Sequence, residues 1–149
     1  MLVRCLYASR AAQPMTSEVL DDILAQSAAK NPPHGITGML CYTNDVFVQV
    51  LEGGRDAVCE LFNAIVRDDR HQDVRILVFE EIAERRFGNW TMGQVNLEQC
   101  NPAVLMKYSE TAAFDPFSCP GSATMAMLTD LLAAGSIAGR GKQGAPRLV

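Results

Sequence analysis

The sequence predicts an α+β fold, a ferredoxin-like sandwich of order β-α-β-β-α-β with one extra strand, two helices lying on one face of a mostly antiparallel sheet. Three observations predict it. Strand-like aliphatic runs alternate with two stretches whose apolar residues recur at helical spacing. Two of those runs are separated by only three polar residues. Prolines and paired glycines fall between the elements, where they stop one and allow the next.

The first strand is read over Leu2 to Tyr7, which is rich in aliphatics and alternates imperfectly. After a polar break at 9–14, Thr16 or Ser17 can cap a helix whose first turns carry Glu18, Asp21 and Asp22 near its positive end. Val19, Leu20, Ile23, Leu24 and Ser27 form one stripe along that helix. It must stop near Asn31, because Pro32 and Pro33 disfavour helix at and before themselves. Ile36 to Tyr42 and Val46 to Leu51 are strands joined by Thr43-Asn44-Asp45 as a hairpin. Gly53-Gly54 then breaks the chain before a second helix, about Ala57 to Asp68, with Val58, Leu61, Phe62, Ile65 and Val66 as its apolar side. Val74 to Ile82 is a fourth strand and Trp90 to Leu97 a shorter fifth.

Beyond Asn101 the texture changes. Pro102 to Tyr108 is a short helix, 114–120 an irregular connector, and Ser122 to Ala134 a helix with Met125, Leu128, Leu131 and Leu132 on one side. These C-terminal helices are expected to cover the sheet face left bare by the first two. The chain therefore divides into a main domain over 1–100, a helical cap or output segment over 101–134, and a flexible tail over 135–149 whose glycines and Pro146 do not build a packed element.

Composition narrows the function classes. Thirteen basic against seventeen acidic side chains leave a net charge of −4, which argues against direct nucleic-acid binding. No apolar run reaches the roughly 18 residues that span a bilayer, and the charged N-terminus does not read as a signal peptide. The five cysteines are odd in number and scattered, without metal-ligand spacing, which points to a reducing cytoplasm and to no metal site.

Gln49 is the residue that periodicity does not explain. It interrupts Val46-Phe47-Val48-Gln49-Val50-Leu51 and by alternation shares a face with Phe47 and Leu51. A buried amide without partners costs about 1–3 kcal/mol, so Gln49 must meet polar groups there. Tyr7 taken alone reads as a strand-end tyrosine with its ring in the core, Asn31 as a helix cap, and Arg67, Asp68, Arg70 and His71 as a solvated charged turn. His34, beside two prolines, reads as an exposed loop residue.

Together these pieces resemble the BLUF family, the flavin-binding blue-light sensors, over Met1 to about Leu97. The match is carried by Leu6-Tyr7-Ala8-Ser9, Asn31, Gly35-Ile36-Thr37-Gly38-Met39-Leu40-Cys41-Tyr42, Phe47-Val48-Gln49-Val50-Leu51-Glu52-Gly53, Arg67-Asp68-Asp69-Arg70-His71 and Arg86-Phe87-Gly88-Asn89-Trp90-Thr91-Met92. The resemblance implies a flavin (FAD, with FMN or riboflavin as alternatives) held between the two helices. It implies Tyr7 as electron and proton donor and Gln49 as the relay to the flavin edge. A neutral phenol can release a proton with an electron, and an amide with one donor end and one acceptor end can be rewired without moving charge.

The same resemblance implies Asn31 on the pyrimidine edge and Lys30 beside the ring, where relatives often carry histidine or asparagine. It implies Ser9, Phe47 and Leu51 around the site, with Arg67, Asp68, Arg70 and His71 near ribityl and phosphate groups. Trp90 and Met92 are the implied relay, and either can face the flavin. The implied activity is light sensing without substrate turnover, passed to a separate effector: a cyclic-di-GMP or cyclic-nucleotide enzyme, or a transcriptional regulator. A homo-oligomer is implied as well. Two other readings remain at this stage. One is a flavin-free interaction module on the same fold. The other is a small phosphatase, against which Tyr7-Ala8-Ser9-Arg10-Ala11-Ala12 lacks the glycines of a phosphate loop.

Overall fold

The computed structural model describes residues 1–135 and the backbone of 138–139. In chain order the elements are β1 (Leu2–Ala11), α1 (Ser17–Lys30), β2 (Thr37–Tyr42), β3 (Val46–Gly54), α2 (Arg55–Val66), β4 (His71–Ile82), β5 (Gly93–Asn96), α3 (Pro102–Tyr108), α4 (Gly121–Ala133) and β6 (Ala138–Gly139). They form one sheet of order β4-β1-β3-β2-β5-β6. β1 runs antiparallel to both β3 and β4, and β2 antiparallel to β3, so the first four strands make the ferredoxin-like core. β5 joins β2 in parallel as the extra strand.

The sheet is covered on both sides, which explains why β1 and β3 read as near-continuous apolar runs. Val3, Cys5, Tyr7, Leu40, Phe47 and Leu51 pack with Ile23 and Leu24 of α1 and Val58 of α2. Leu6, Ala8, Met39, Cys41, Val48 and Val50 pack on the other side with Leu105 of α3 and Met125, Met127, Leu128 and Leu131 of α4. The C-terminal helices thus cover the face that α1 and α2 leave bare. Gly121 makes this docking possible: a Cβ there would stand 2.5 Å from the Leu77 carbonyl oxygen at the bulge in β4.

Local signals explain the ends of the elements. Thr16 caps α1 by accepting the Val19 N–H at 3.2 Å, and Asn31 closes it before the two prolines. The hairpin turns on Thr43, whose hydroxyl accepts the N–H groups of Asp45 and Val46, each at 3.1 Å. α2 begins two residues earlier than expected, directly after Gly54. β4 begins three residues earlier, at His71, because β1 continues to Ala11 and offers it a partner. β5 is shorter than the expected 90–97 strand. Trp90, Thr91 and Met92 precede it as irregular chain, since the Trp90 carbonyl is taken by the Gly38 N–H at 3.0 Å, outside any β5 ladder.

The expected flexible tail over 135–149 is modified at two residues: Ala138 and Gly139 pair with Gln94 and Gly93 as β6, using the outer edge that β5 would otherwise leave unpaired. Positions 136–137 and 140–149 of that tail lie outside the described residues. No helix among the described residues is long and apolar enough to cross a membrane.

Candidate functional site

A cleft opens between α1 and α2 over the sheet. Its walls are Ile23, Gln26, Ser27, Lys30 and Asn31 from α1 and its cap, and Leu61, Ala64 and Ile65 from α2. Tyr7, Leu40 and Gln49 form the floor, and Asp68, Arg70 and His71 close one end. The wall residues recur three and four apart on each helix, so each presents one stripe to the gap. Ala64 keeps the α2 wall thin where a larger side chain would fill the space.

The floor is set by strand register. Tyr7 of β1 stands directly opposite Gln49 of β3, and Gln49 opposite Leu40 of β2, so all three share the face below the helices. Tyr7 is fully buried, and its Oη donates a hydrogen bond to Gln49 Oε1. Gln49 Nε2 donates in turn to the Met92 sulfur at 3.2 Å. Both ends of a buried amide are thereby satisfied, as burial demands. Burial pushes the Tyr7 phenol well above its ordinary range, with the nearby Cys5 and Asp68 acting in the same sense and Arg70 against it. The group on the floor is a neutral phenol at any physiological pH.

The polar end is held just as closely. Arg70 Nε donates to Asp68 Oδ1 at 3.0 Å, and its Nη2 reaches Gln26 Oε1 at 2.9 Å, tying the turn after α2 to α1. The Arg70 hydrogen bonds hold the Asp68 carboxyl below the usual carboxylate range. His71 shares a 2.7 Å hydrogen bond with Ser9 Oγ, and its ring lies 4.7 Å from that of Phe47. Burial lowers its pKa to about 4, against the raising effect of Asp68 and with the help of Arg70, so the ring is neutral at pH 7.

Of the residues singled out in the sequence, Tyr7, Lys30, Asn31, Gln49, Asp68, Arg70 and His71 line the cleft. Ser9, Phe47, Leu51 and Arg67 do not. Ser9 and Phe47 stand behind His71, Leu51 lies in the core beneath the helices, and Arg67 is exposed at the C-cap of α2, where the helix end turns it outward. Between the two relay candidates, Met92 is buried against Gln49 on the cleft side, while half-buried Trp90 packs with the α3 and α4 cluster on the opposite face. Sequence reading missed Gln26, Leu40, Leu61, Ala64 and Ile65 as lining residues. The apolar stripe of α2 contained two of them, Leu61 and Ile65, but a stripe alone does not say whether it meets the sheet or a gap.

The donor set suits a flavin. Apolar side chains of Ile23, Leu61 and Ile65 on the walls and Leu40 on the floor suit a ring system. The Asn31 and Gln49 amides offer both donors and acceptors to a heterocycle edge, and the cationic side chains of Lys30 and Arg70 line the same cleft.

Comparison with known proteins points the same way. The family model for BLUF, the sensors of blue light using FAD, matches residues 2–93. A photoactivated adenylate cyclase subunit beta from Euglena longa is 38% identical over 92 residues, covering 61% of this chain and 11% of that protein. The chain spans 9% to 11% of the length of the first curated relatives it matches. Among solved structures, the dark state of BlrB, a BLUF protein, superposes with a TM-score of 0.76 at 32% identity, covering 90% of this chain and 96% of that one. The photo-activated state of BlsA gives a TM-score of 0.77 at 30% identity over 89% of this chain and 95% of the other.

Proposed function

Because this chain belongs to the BLUF family, the sensors of blue light using FAD, we propose that it is a photosensor whose Tyr7–Gln49 pair switches hydrogen bonds under a flavin held between α1 and α2. FAD is the proposed form, the flavin that the sensors of this family use, with Lys30 and Arg70 as the cationic side chains proposed to meet its phosphates. The reading is carried by one observation: a buried neutral phenol donating to a buried amide whose other end rests on the Met92 sulfur.

When bound, the flavin supplies a one-electron oxidant driven by blue light. Tyr7 gives up an electron together with its Oη proton, because its buried phenolate would be too costly to form alone. Gln49 Oε1 is already the acceptor of that proton, and its Nε2 carries a second N–H, beside the one on the Met92 sulfur, that can pass a proton onward from the other end. Return of the electron leaves the carboxamide rotated or tautomerised, with donor and acceptor ends exchanged and no net charge moved. Asn31 orients the ring edge, and the apolar walls exclude water that would otherwise re-satisfy the amide at once.

The exchanged amide no longer presents a donor to Met92. The Met92 segment must then shift, and it leads directly into β5. We propose that this shift is read by a separate effector in the cytoplasm, a cyclic-nucleotide or cyclic-di-GMP enzyme or a transcriptional regulator. The chain self-associates in this scheme and turns over no substrate itself.

The decisive experiment is an absorption spectrum of the purified protein in the dark, under blue light and during recovery. The expected result is a flavin spectrum that moves reversibly to the red, and that stays fixed in Tyr7→Phe and Gln49→Leu. A colourless protein that takes up no added flavin overturns the reading and leaves an interaction module on the same fold.

A further inference from the structure

Glu52 stands three residues beyond Gln49 on β3 and therefore points to the opposite face of the sheet, among apolar side chains. A carboxylate there loses its water and is tolerated only if donors replace it. Glu52 is 0% exposed, and its donors are an unusual set. Oε1 accepts the backbone N–H of Phe87 at 2.7 Å and that of Arg86 at 3.0 Å. Oε2 accepts Arg4 Nε at 2.7 Å and shares the Arg86 N–H at 3.1 Å. Two consecutive backbone N–H groups thus close on one carboxylate, as in an anion nest. The Glu52 carbonyl accepts Arg85 Nη1 at 3.2 Å, and the same nitrogen donates to Thr37 at 2.9 Å.

The segment held in this way ends at the switch. Phe87 is buried on the α3 and α4 side, whereas Met92 is buried on the α1 and α2 side, so 87–92 crosses from one face of the sheet to the other. Between these points the Phe87 carbonyl accepts Trp90 N–H at 3.3 Å, the Trp90 carbonyl accepts Gly38 N–H, and the Thr91 carbonyl accepts Asn31 Nδ2 at 3.4 Å. One end of the crossing is tied to Glu52 and the other to Gln49, both on β3.

We infer that Glu52 is a positioning residue of the light switch: by pinning Arg86 and Phe87 it holds the Met92 sulfur against Gln49 and sets the lifetime of the signalling state. The inference rests on the Tyr7–Gln49 photoswitch proposed above. Met92 favours the dark arrangement, in which Gln49 Nε2–H donates to sulfur, because the exchanged amide would turn its oxygen toward another acceptor. A segment released from Glu52 lets Met92 withdraw, removes that preference and slows the return to the dark state.

Glu52→Gln tests this. Its amide has one acceptor oxygen where the carboxylate has two, and its NH₂ must face either Arg4 or the two backbone N–H groups, donor against donor. With flavin bound, the red shift persists and dark recovery slows by roughly threefold or more, which is about 0.65 kcal/mol in barrier. In a Met92→Ala background the same substitution leaves recovery unchanged, since its effect passes through Met92. In the flavin-stripped protein, emission from Trp90, the single tryptophan, moves to longer wavelength and becomes more open to acrylamide quenching in Glu52→Gln. If Glu52→Gln does not fold, Glu52→Asp keeps the charge, withdraws it by one methylene, and gives a smaller slowing of the same sign.

Recovery unchanged in a folded variant, or slowed equally with Met92 absent, overturns the inference alone. A wild-type protein that never shifts under blue light overturns the photosensor reading instead.

Discussion

Replacing His71 by glutamine should remove a defined part of the acid sensitivity of this fold. The ring sits at the closed end of the cleft between Ser9 and Phe47, and burial lowers its pKa from 6.5 to about 4. The unfolded chain therefore binds a proton on His71 that the folded chain refuses over this interval. Stability is fully present above pH 6.5 and is lost as the pH falls toward 4, with no further loss from this group below that. At about 1.4 kcal/mol per pH unit the gap is worth roughly 3 kcal/mol, which the ring's partial exposure reduces to about 2 kcal/mol. Urea denaturation of wild type and His71→Gln at half-unit steps from pH 7.5 to 4.5, at equal flavin saturation, reads it directly. The difference between the two curves should shrink by about 2 kcal/mol on acidification, whatever glutamine costs at neutral pH. Asp68 does not confuse the result. Its carboxyl is held low by Arg70, so the stability it contributes is lost only as the pH falls below the ordinary carboxylate range. Parallel curves would refute the burial argument and mean that the ring is reached by water in solution.

Other perturbations follow from the same geometry. Gly38→Ala would place a Cβ 2.0 Å from the Val50 carbonyl oxygen, backbone against side chain with no rotamer to yield, and should destabilise by about 3 kcal/mol or more in urea denaturation. Gly121→Ala meets the Leu77 carbonyl at 2.5 Å and should lift the start of α4 from β4, raising amide exchange in α4 while leaving the flavin spectrum unchanged. Tyr7→Phe leaves Gln49 Oε1 without its donor in a dry site, so stability should fall by about 1–3 kcal/mol as photochemistry disappears. Arg70→Gln should weaken FAD and FMN by about tenfold in equilibrium titration, the loss of one charge-assisted contact, and riboflavin much less.

Much of the fold was legible along the chain because the signals are local. The stripe on α1, its stop before Pro32, the Thr43 hairpin and the glycine break before α2 each depend on residues a few positions apart. That Gln49 needs a partner was legible for a related reason, since a polar residue in an apolar strand must be satisfied. That the partner is Tyr7 was implied by the resemblance to the BLUF family, and the register sets the two side by side. Position in the cleft was less legible. Phe47 and Leu51 share a face with Gln49, as alternation requires, yet they pack in the core under the helices and do not line the gap, a distinction that alternation alone does not carry.

What the sequence by itself determined through periodicity and the cost of an unpaired polar group is the secondary structure, the cover on both faces of the central strands and the need of Gln49 for polar partners. Tyr7 as that partner came from the family resemblance of the motifs. Only the tertiary structure decided that Met92, not Trp90, meets Gln49. The chain from 83 to 92 has no period of its own, and its path is imposed by partners far away in sequence, Glu52 bonding Phe87 across 35 residues and Gln49 bonding Met92 across 43. A segment held by long-range hydrogen bonds to a buried carboxylate and a buried amide carries no local pattern that would announce which of its side chains turns inward.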